Sequence, residues 1–108
     1  MYLQKYNKYL PILLTKEQNI GTLRQNENFA FKFDGVDYNN EQFHYEIVAG
    51  VGDGLPTGLS INPSTGWLTG LVPYGELGSV SYEFGVRVYE VALPIYKSPT
   101  KLFTLDLL

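Results

Sequence analysis

Short segments in which every second residue is apolar constrain this chain more than any other feature. The longest, residues 80–88, reads VSYEFGVRV and alternates from end to end. A period of two is the pattern of a β-strand with one buried face, whereas helices repeat at about 3.6 residues. The alternation predicts four sets of inward-facing residues: Val80, Tyr82, Phe84, Val86 and Val88; Phe29, Phe31 and Phe33; Phe43, Tyr45 and Ile47; and Phe103, Leu105 and Leu107.

Turn-forming residues separate these segments and indicate the class of fold. Two weaker strands are expected near the start, at residues 10–15 and 20–23. About seven short strands with frequent turns predict an all-β, antiparallel β-sandwich. No segment has the length or period of a crossover helix, so a parallel sheet is not expected. Clusters of glycine, proline, asparagine and aspartate, which favour turns, occupy residues 34–40, 49–58, 73–79 and 93–99.

The length of 108 residues fits one domain with one core. We expect residues 1–108 to form that single domain, with residues 1–18 as an N-terminal extension or a first strand and residues 19–108 as the core sandwich. The chain is 44% hydrophobic and 18% charged, a balance typical of a folded chain rather than a disordered one.

Residues 54–70, GLPTGLSINPSTGWLTG, are rich in glycine and have three interpretations: a phosphate-binding loop, a linker or a set of tight turns. The first fails because no G-x-G-x-x-G spacing fits and two prolines interrupt the helix that would receive a phosphate. A hairpin fits each residue, with Pro63 presetting φ in the turn and Gly66 supplying a positive φ at its exit. The hairpin predicts that Leu59, Ile61 and Leu68 face the core.

This stretch also closely resembles the signature of the immunoglobulin-like (cadherin-like) domains of bacterial surface and bacteriophage virion proteins. That signature reads roughly Leu-Pro-x-Gly-Leu-x-(Leu/Ile)-(Asp/Asn)-x-x-Thr-Gly-x-(Leu/Ile)-(Ser/Thr)-Gly. The long strand that follows in the family, Tyr-x-Phe-x-Val-x-Val, is matched by residues 82–88, and the resemblance covers roughly residues 20–107. The matching signature positions are Leu55, Pro56, Gly58, Leu59, Ile61, Asn62, Thr65, Gly66, Leu68, Thr69 and Gly70.

The resemblance implies an immunoglobulin-like sandwich and a non-enzymatic structural or adhesive module of a bacteriophage virion protein or a bacterial surface protein. It implies a place in the virion or at the cell surface, and as partners a protein or a cell-surface glycan together with adjoining domains. The chain departs from the family at Glu90, which stands near the place of a frequent aspartate. Cadherin-like modules bind calcium through acidic clusters at their ends, and this departure leaves calcium binding unassigned.

Charge and hydropathy narrow the range of partners. The net charge is −3 and no basic patch is visible, so nucleic acid is not an expected partner. No apolar run approaches the ~20 residues of a membrane helix, so membrane insertion is not expected. The apolar patch at residues 9–14 is short and interrupted by Pro11, so no signal peptide is predicted.

Catalytic chemistry finds little support. The chain has one histidine, His44, and no cysteine, so thiolate metal sites are excluded and no histidine pair can form. Ser60 and Ser64 lack a nucleophile elbow, and no pair of carboxylates is singled out for glycoside hydrolysis. We therefore predict no catalytic residues, no enzyme activity and no cofactor.

Oxygen-bearing residues in the loop at residues 34–41 raise the question of calcium. Asp34, Asp37 and Asn39 are weak candidate ligands, since carboxylate and amide oxygens suit that ion. Their spacing matches no EF-hand loop, and an Asx-rich turn needs the same residue types. The expectation is that no metal is bound.

Aromatic residues are the candidates for binding. Because neighbouring residues of a strand point to opposite faces, an inward Leu68 places Trp67 outward. Trp67, Tyr74 and Tyr38 could contact a protein partner, or could stack on sugars in a carbohydrate-binding module, which is the alternative function. Edge packing of Trp67 without any binding role also fits the pattern.

Overall fold

The computed structural model describes residues 9–74 and 80–108. Within them every regular element is a strand, and no described helix is long and apolar enough to cross a membrane. The strands are β1 (Ile12–Leu13), β2 (Asn19–Leu23), β3 (Asn28–Lys32), β4 (Gly35–Val36), β5 (Phe43–Gly52), β6 (Leu59–Ile61), β7 (Trp67–Leu71), β8 (Val80–Glu90) and β9 (Lys101–Leu107).

Two main sheets form the sandwich. One has four strands in the order β2-β9-β8-β5, and the other has three in the order β3-β7-β6. β4 follows β3 after two residues. β3 pairs with β7, and β4 pairs with β1 in a separate two-stranded ladder. The all-β sandwich predicted from the alternation is confirmed.

Aromatic rings fill the space between the two sheets. Phe33 packs edge-on against Phe103 with ring centroids 4.9 Å apart, and Phe84 lies 6.1 Å from Phe103. All three rings are at most 1% exposed. Burying a side chain of this size contributes about 1.5–3 kcal/mol. The inward residues predicted for the long strands are confirmed, with the deepest positions at Phe84, Val86, Val88, Phe103, Leu105 and Leu107.

One strand pair departs from the predicted antiparallel arrangement, although neither main sheet is a parallel sheet. β2 runs parallel to β9, with Asn19 opposite Thr104 and Leu23 opposite Leu107. The expectation failed because it assumed that parallel strands are joined by a short helical crossover. Here the connection between the two strands is the remainder of the sandwich, so no helix is needed.

Two segments read as turns contain strand. Residues 34–40 include β4, which pairs with β1 through Ile12 opposite Val36. Residues 49–52 continue β5, with a register shift between Ile47 and Gly52. The predictions of turns there were wrong because neighbouring strands override local propensity: β8 is 11 residues long and pairs with β5 again at Gly52, opposite Phe84, beyond the register shift.

Candidate functional site

The glycine-rich hairpin is built around Asn62. Its side-chain Oδ1 accepts hydrogen bonds from the backbone N–H groups of Ser64 and Thr65, at 2.9 and 3.1 Å. Its backbone N–H donates to the carbonyl of Trp67 at 2.8 Å, and Gly66 N–H donates to the Asn62 carbonyl at 2.9 Å. The turn therefore starts β7 in a fixed orientation, with Trp67 as its first residue.

Gly66 is required at the exit of this turn. Its φ is +82°, a region that side-chain-bearing residues rarely adopt. A Cβ at this position would lie 2.6 Å from the carbonyl oxygen of Phe33 and 2.8 Å from the ring of Tyr45. The turn is thus pressed against both sheets, and Pro63 accepts a hydrogen bond from Tyr45 N–H at 2.9 Å. The predicted hairpin and its positive φ are confirmed.

Trp67 points away from the core. It is 42% exposed, while its neighbour Leu68 is fully buried. Leu68 lies between Phe31 of β3 and Ile61 of β6 in the strand register. The predicted strand register is therefore confirmed, and Trp67 stands on the outer face of the three-stranded sheet.

On that outer face, large side chains lie across the strands at one level and small side chains at the next. Lys32 lies opposite Trp67, and Ala30 and Ser60 lie on either side of Thr69. Lys32 Nζ donates to Asp34 Oδ1 at 2.8 Å. This hydrogen bond raises the pKa of Lys32, and the attraction of the Asp34 charge adds to it while desolvation opposes it. The result is a surface with one large aromatic ring beside a charged pair.

The other aromatic candidates do not share this face. Tyr74 is 74% exposed and lies beyond the end of β7, whereas Trp67 lies at its start. The strand alone separates its ends by roughly 13 Å, at about 3.3 Å per residue. Tyr38 is exposed in the turn before β5. Trp67 and Tyr74 therefore do not form one flat stacking platform.

The candidate calcium ligands are engaged in local contacts. Asp34 pairs with Lys32. Asp37 is buried, and its Oδ1 accepts from the backbone N–H groups of Asn39 and Glu41, at 2.8 and 3.4 Å. Asn39 Oδ1 accepts from Tyr9 N–H at 2.9 Å. The two bonds to Asp37 Oδ1 form an Asx-type turn, the alternative that the same residue types predict. Among residues 9–74 and 80–108, no three acidic or imidazole groups are close enough to hold a metal.

The residues considered for catalysis are dispersed. His44 lies on β5 opposite Tyr89, with ring centroids 6.0 Å apart. Three of the surface hollows are each lined by a single side-chain carboxylate, namely Asp106, Asp34 and Glu27. A pair of carboxylates facing across a cleft is therefore not found in these hollows.

Two surface features were not identified from the sequence. The loop between β8 and β9 carries Leu93 and Ile95, which are 51% and 80% exposed. The outer edge of β3 has no strand beside it in the part of the chain described. The exposed loop could have been predicted, because its apolar residues stand next to prolines in the sequence. The open edge could not, because the sequence of a strand does not indicate which strand lies next to it.

Architecture and turn geometry together define an immunoglobulin-like β-sandwich. The chain belongs to the family described as "Putative Ig domain", whose family model matches residues 11–106. The suspected family resemblance is thereby confirmed. No curated protein matches the sequence.

Solved structures with the same fold come from large proteins. Drosophila N-cadherin EC1-4 aligns with a TM-score of 0.72 and 14% identity, over 94% of this chain and 26% of that one. The sialic acid binding region of a Streptococcus sanguinis SK1 adhesin gives 0.58 and 12%, over 94% and 29%. A Bacteroides fragilis putative alpha-galactosidase gives 0.63 and 17%, over 93% and 18%. This chain therefore spans less than a third of each of these proteins.

Proposed function

We propose that this chain is a non-enzymatic structural or adhesive module of a bacteriophage virion protein or a bacterial surface protein. It works outside the cytoplasm as a single immunoglobulin-like domain, with residues 1–18 as an extension or first strand and residues 19–108 as the core. Its partners are a protein or a cell-surface glycan, together with adjoining domains of a larger chain or assembly. Nucleic acid, membrane insertion and a cofactor have no part in this function.

The observation that carries the proposal is the outward Trp67 on a rigid sheet. The ring is 42% exposed although residues on both sides of it are fixed, by the Asn62 turn before it and by the buried Leu68 after it. An aromatic side chain held in this way offers a large contact area and loses little conformational freedom on binding. Lys32 beside it supplies a polar rim, as protein-binding surfaces commonly have.

The experiment compares Trp67→Ala with a matched control. Leu102 on β9 is 41% exposed, almost the same fraction as Trp67, but it belongs to the four-stranded sheet. Wild type, Trp67→Ala and Leu102→Ala are tested in pull-downs against bacterial envelopes and on a glycan array. We expect Trp67→Ala to remain folded and lose the partner, while Leu102→Ala keeps it. Equal binding by all three proteins would contradict the role given to Trp67.

A carbohydrate-binding module is the second candidate. It is favoured by three exposed aromatic side chains, Trp67, Tyr38 and Tyr74, and by the structural likeness to an adhesin region that binds sialic acid. The separation of Trp67 from Tyr74 weighs against a shared platform and favours the protein-binding form. Selective signals on the glycan array that disappear in Trp67→Ala would favour the sugar-binding form.

A further inference from the structure

The edge of β3 leaves backbone groups available for pairing. Phe33 N–H donates to the Gly66 carbonyl at 2.9 Å, and Phe31 lies opposite Leu68 in the same ladder. Because hydrogen-bonded residues alternate along an antiparallel strand, the odd-numbered residues of β3 bond to β7. The even-numbered residues therefore direct their N–H and C=O groups to the opposite side, and these residues are Asn28, Ala30 and Lys32.

The next even-numbered residues show how this edge pairs. The backbone carbonyl of Asp34 accepts hydrogen bonds from Leu14 N–H at 2.7 Å and Thr15 N–H at 3.3 Å, and Val36 lies opposite Ile12. The first strand, β1, thus occupies the same edge for a short distance. The chain then crosses to the other sheet, where Gln18 accepts from Thr104 N–H at 3.1 Å. No described strand therefore lies beside the outer edge of β3, where an extension of β1 would lie.

A groove of about 630 Å³ lies beside this point. Its apolar part comes from Leu14, which is 50% exposed, and from the half-buried Phe31 and Val36. Its charged lining residues are Lys16, Lys32 and Asp34. An added strand would place alternate side chains over the apolar part while its backbone bonds to β3, which is the recognised geometry of β-strand addition.

The charges around the groove favour an acidic occupant. Lys32 is paired with Asp34, whereas Lys16 forms no ion pair with any described residue. Lys101, which donates to the Thr15 carbonyl at 3.1 Å, adds a third positive charge close by. Asp34 and Glu17, whose Oε2 accepts from Leu102 N–H at 2.7 Å, offset two of these three lysines, so the region carries a net charge of +1 while the whole chain carries −3.

We propose that the open edge of β3 binds an extended peptide segment of a partner protein by β-strand addition, with apolar residues at alternate positions and an acidic residue facing the lysines. This inference rests on the proposed function and specifies how the module holds a protein partner. The added segment runs antiparallel to β3, in line with β1, and accepts and donates hydrogen bonds at Asn28, Ala30 and Lys32.

The test uses a defined probe and amide hydrogen exchange. The probe is a capped heptapeptide in which valine alternates with threonine and the central residue is glutamate. In the free protein, the amides of Ala30 and Lys32 should exchange much faster than those of Phe29 and Phe31. With the probe at about ten times its Kd, exchange at Ala30 and Lys32 should slow about tenfold. Unchanged exchange there at saturation, or no saturable binding up to ~1 mM, would overturn the proposal.

Two variants separate backbone pairing from non-specific contact. Ala30→Pro removes an outward N–H without breaking a bond to β7, and proline is tolerated at strand edges of this kind. It should weaken probe binding at least tenfold, whereas Thr69→Ala, on the neighbouring strand opposite Ala30, should bind normally. If Ala30→Pro proves unstable, a probe N-methylated at alternate residues takes its place and should also lose binding. Full binding by the methylated probe would overturn the proposal.

Other outcomes identify other occupants. If the free protein forms dimers in sedimentation and its edge amides become protected as concentration rises, the edge binds a second copy and the peptide proposal is wrong. If an envelope partner is lost in Trp67→Ala but kept in Ala30→Pro, the proposed function stands and this inference fails. If the probe binds the edge while Trp67→Ala keeps every partner, the inference stands and the role of Trp67 fails.

Discussion

Replacing Leu68 by alanine should destabilise the protein more than the same replacement at its exposed neighbour, Trp67. Leu68 is fully buried on the middle strand of the three-stranded sheet, between Phe31 and Ile61. Removing three carbon atoms forfeits about 2.4 kcal/mol of transfer free energy, at ~0.8 kcal/mol each. Strands on both sides limit collapse into the cavity, so we expect a total loss of about 3–5 kcal/mol.

The assay is urea unfolding followed by fluorescence and circular dichroism. The midpoint should fall strongly while the slope of free energy against urea stays constant, because the mutation changes stability and not the surface exposed. At roughly 4–8 °C per kcal/mol, the melting temperature should fall by ~12 °C or more. A midpoint equal to that of wild type would refute the buried position of Leu68.

Trp67→Ala provides the control, since it changes the adjacent residue of the same strand. The ring is 42% exposed, so its loss should reduce the free energy of unfolding by only about 1 kcal/mol. In the folded wild type, acrylamide should quench the Trp67 fluorescence in part. A Trp67→Ala variant less stable than Leu68→Ala, or an unquenchable emission, would show that the strand register is off by one residue.

Three further outcomes follow from named contacts. Gly66→Ala should cost about 2–4 kcal/mol in urea unfolding, because the new Cβ meets the Phe33 carbonyl; Gly54→Ala, at a similar positive φ of +78° but in open space, should cost only about 1–2 kcal/mol, and equal losses would contradict the close approach. The melting temperature should be the same in EDTA and in calcium, and a fall in EDTA that calcium reverses would contradict metal-independent folding. Because Asp34 raises the pKa of Lys32 above 10.5, their pair should stabilise the fold below that pH and lose its effect as pH rises through the folded-state pKa. Both side chains are largely exposed, so the pair contributes less than ~1 kcal/mol. The free energy of unfolding of wild type and of Asp34→Asn is measured between pH 9 and 12. The extra loss of stability expected in wild type should be absent from the variant.

The parts of the fold that were predicted correctly depend on local pattern. Alternation placed Phe84 and Leu105 in the core because a strand buried on one face must repeat every second residue. The orientation of Trp67 followed from the same rule, and the Asn62–Gly66 turn from the chemistry of its residues. These features need no knowledge of which strands become neighbours.

The parts that were missed depend on tertiary neighbours. Pairing of β2 with β9 places Leu23 opposite Leu107, far away in the sequence, and no local pattern specifies it. Gly35 and Val36 form a strand because β1 lies beside them, although their own sequence reads as a turn. The open edge of β3 was missed for the same reason. The sequence around Ala30 does not indicate whether the outer edge of the strand is paired or free.

The two sheets differ in the groups that they expose to a partner. The outer face of the four-stranded sheet carries an ion pair between Arg87 and Glu46 at 2.6 Å, with Lys97 at 4.0 Å from the same carboxylate. Its two inner strands, β8 and β9, are each paired on both sides and contribute six of the fourteen buried core residues in the described part of the chain. The three-stranded sheet instead presents Trp67 on its face and free backbone groups at the edge of β3. Substitutions of exposed groups on this sheet should therefore change binding, whereas substitutions of buried residues such as Leu68 and Phe84 should change folding on either sheet.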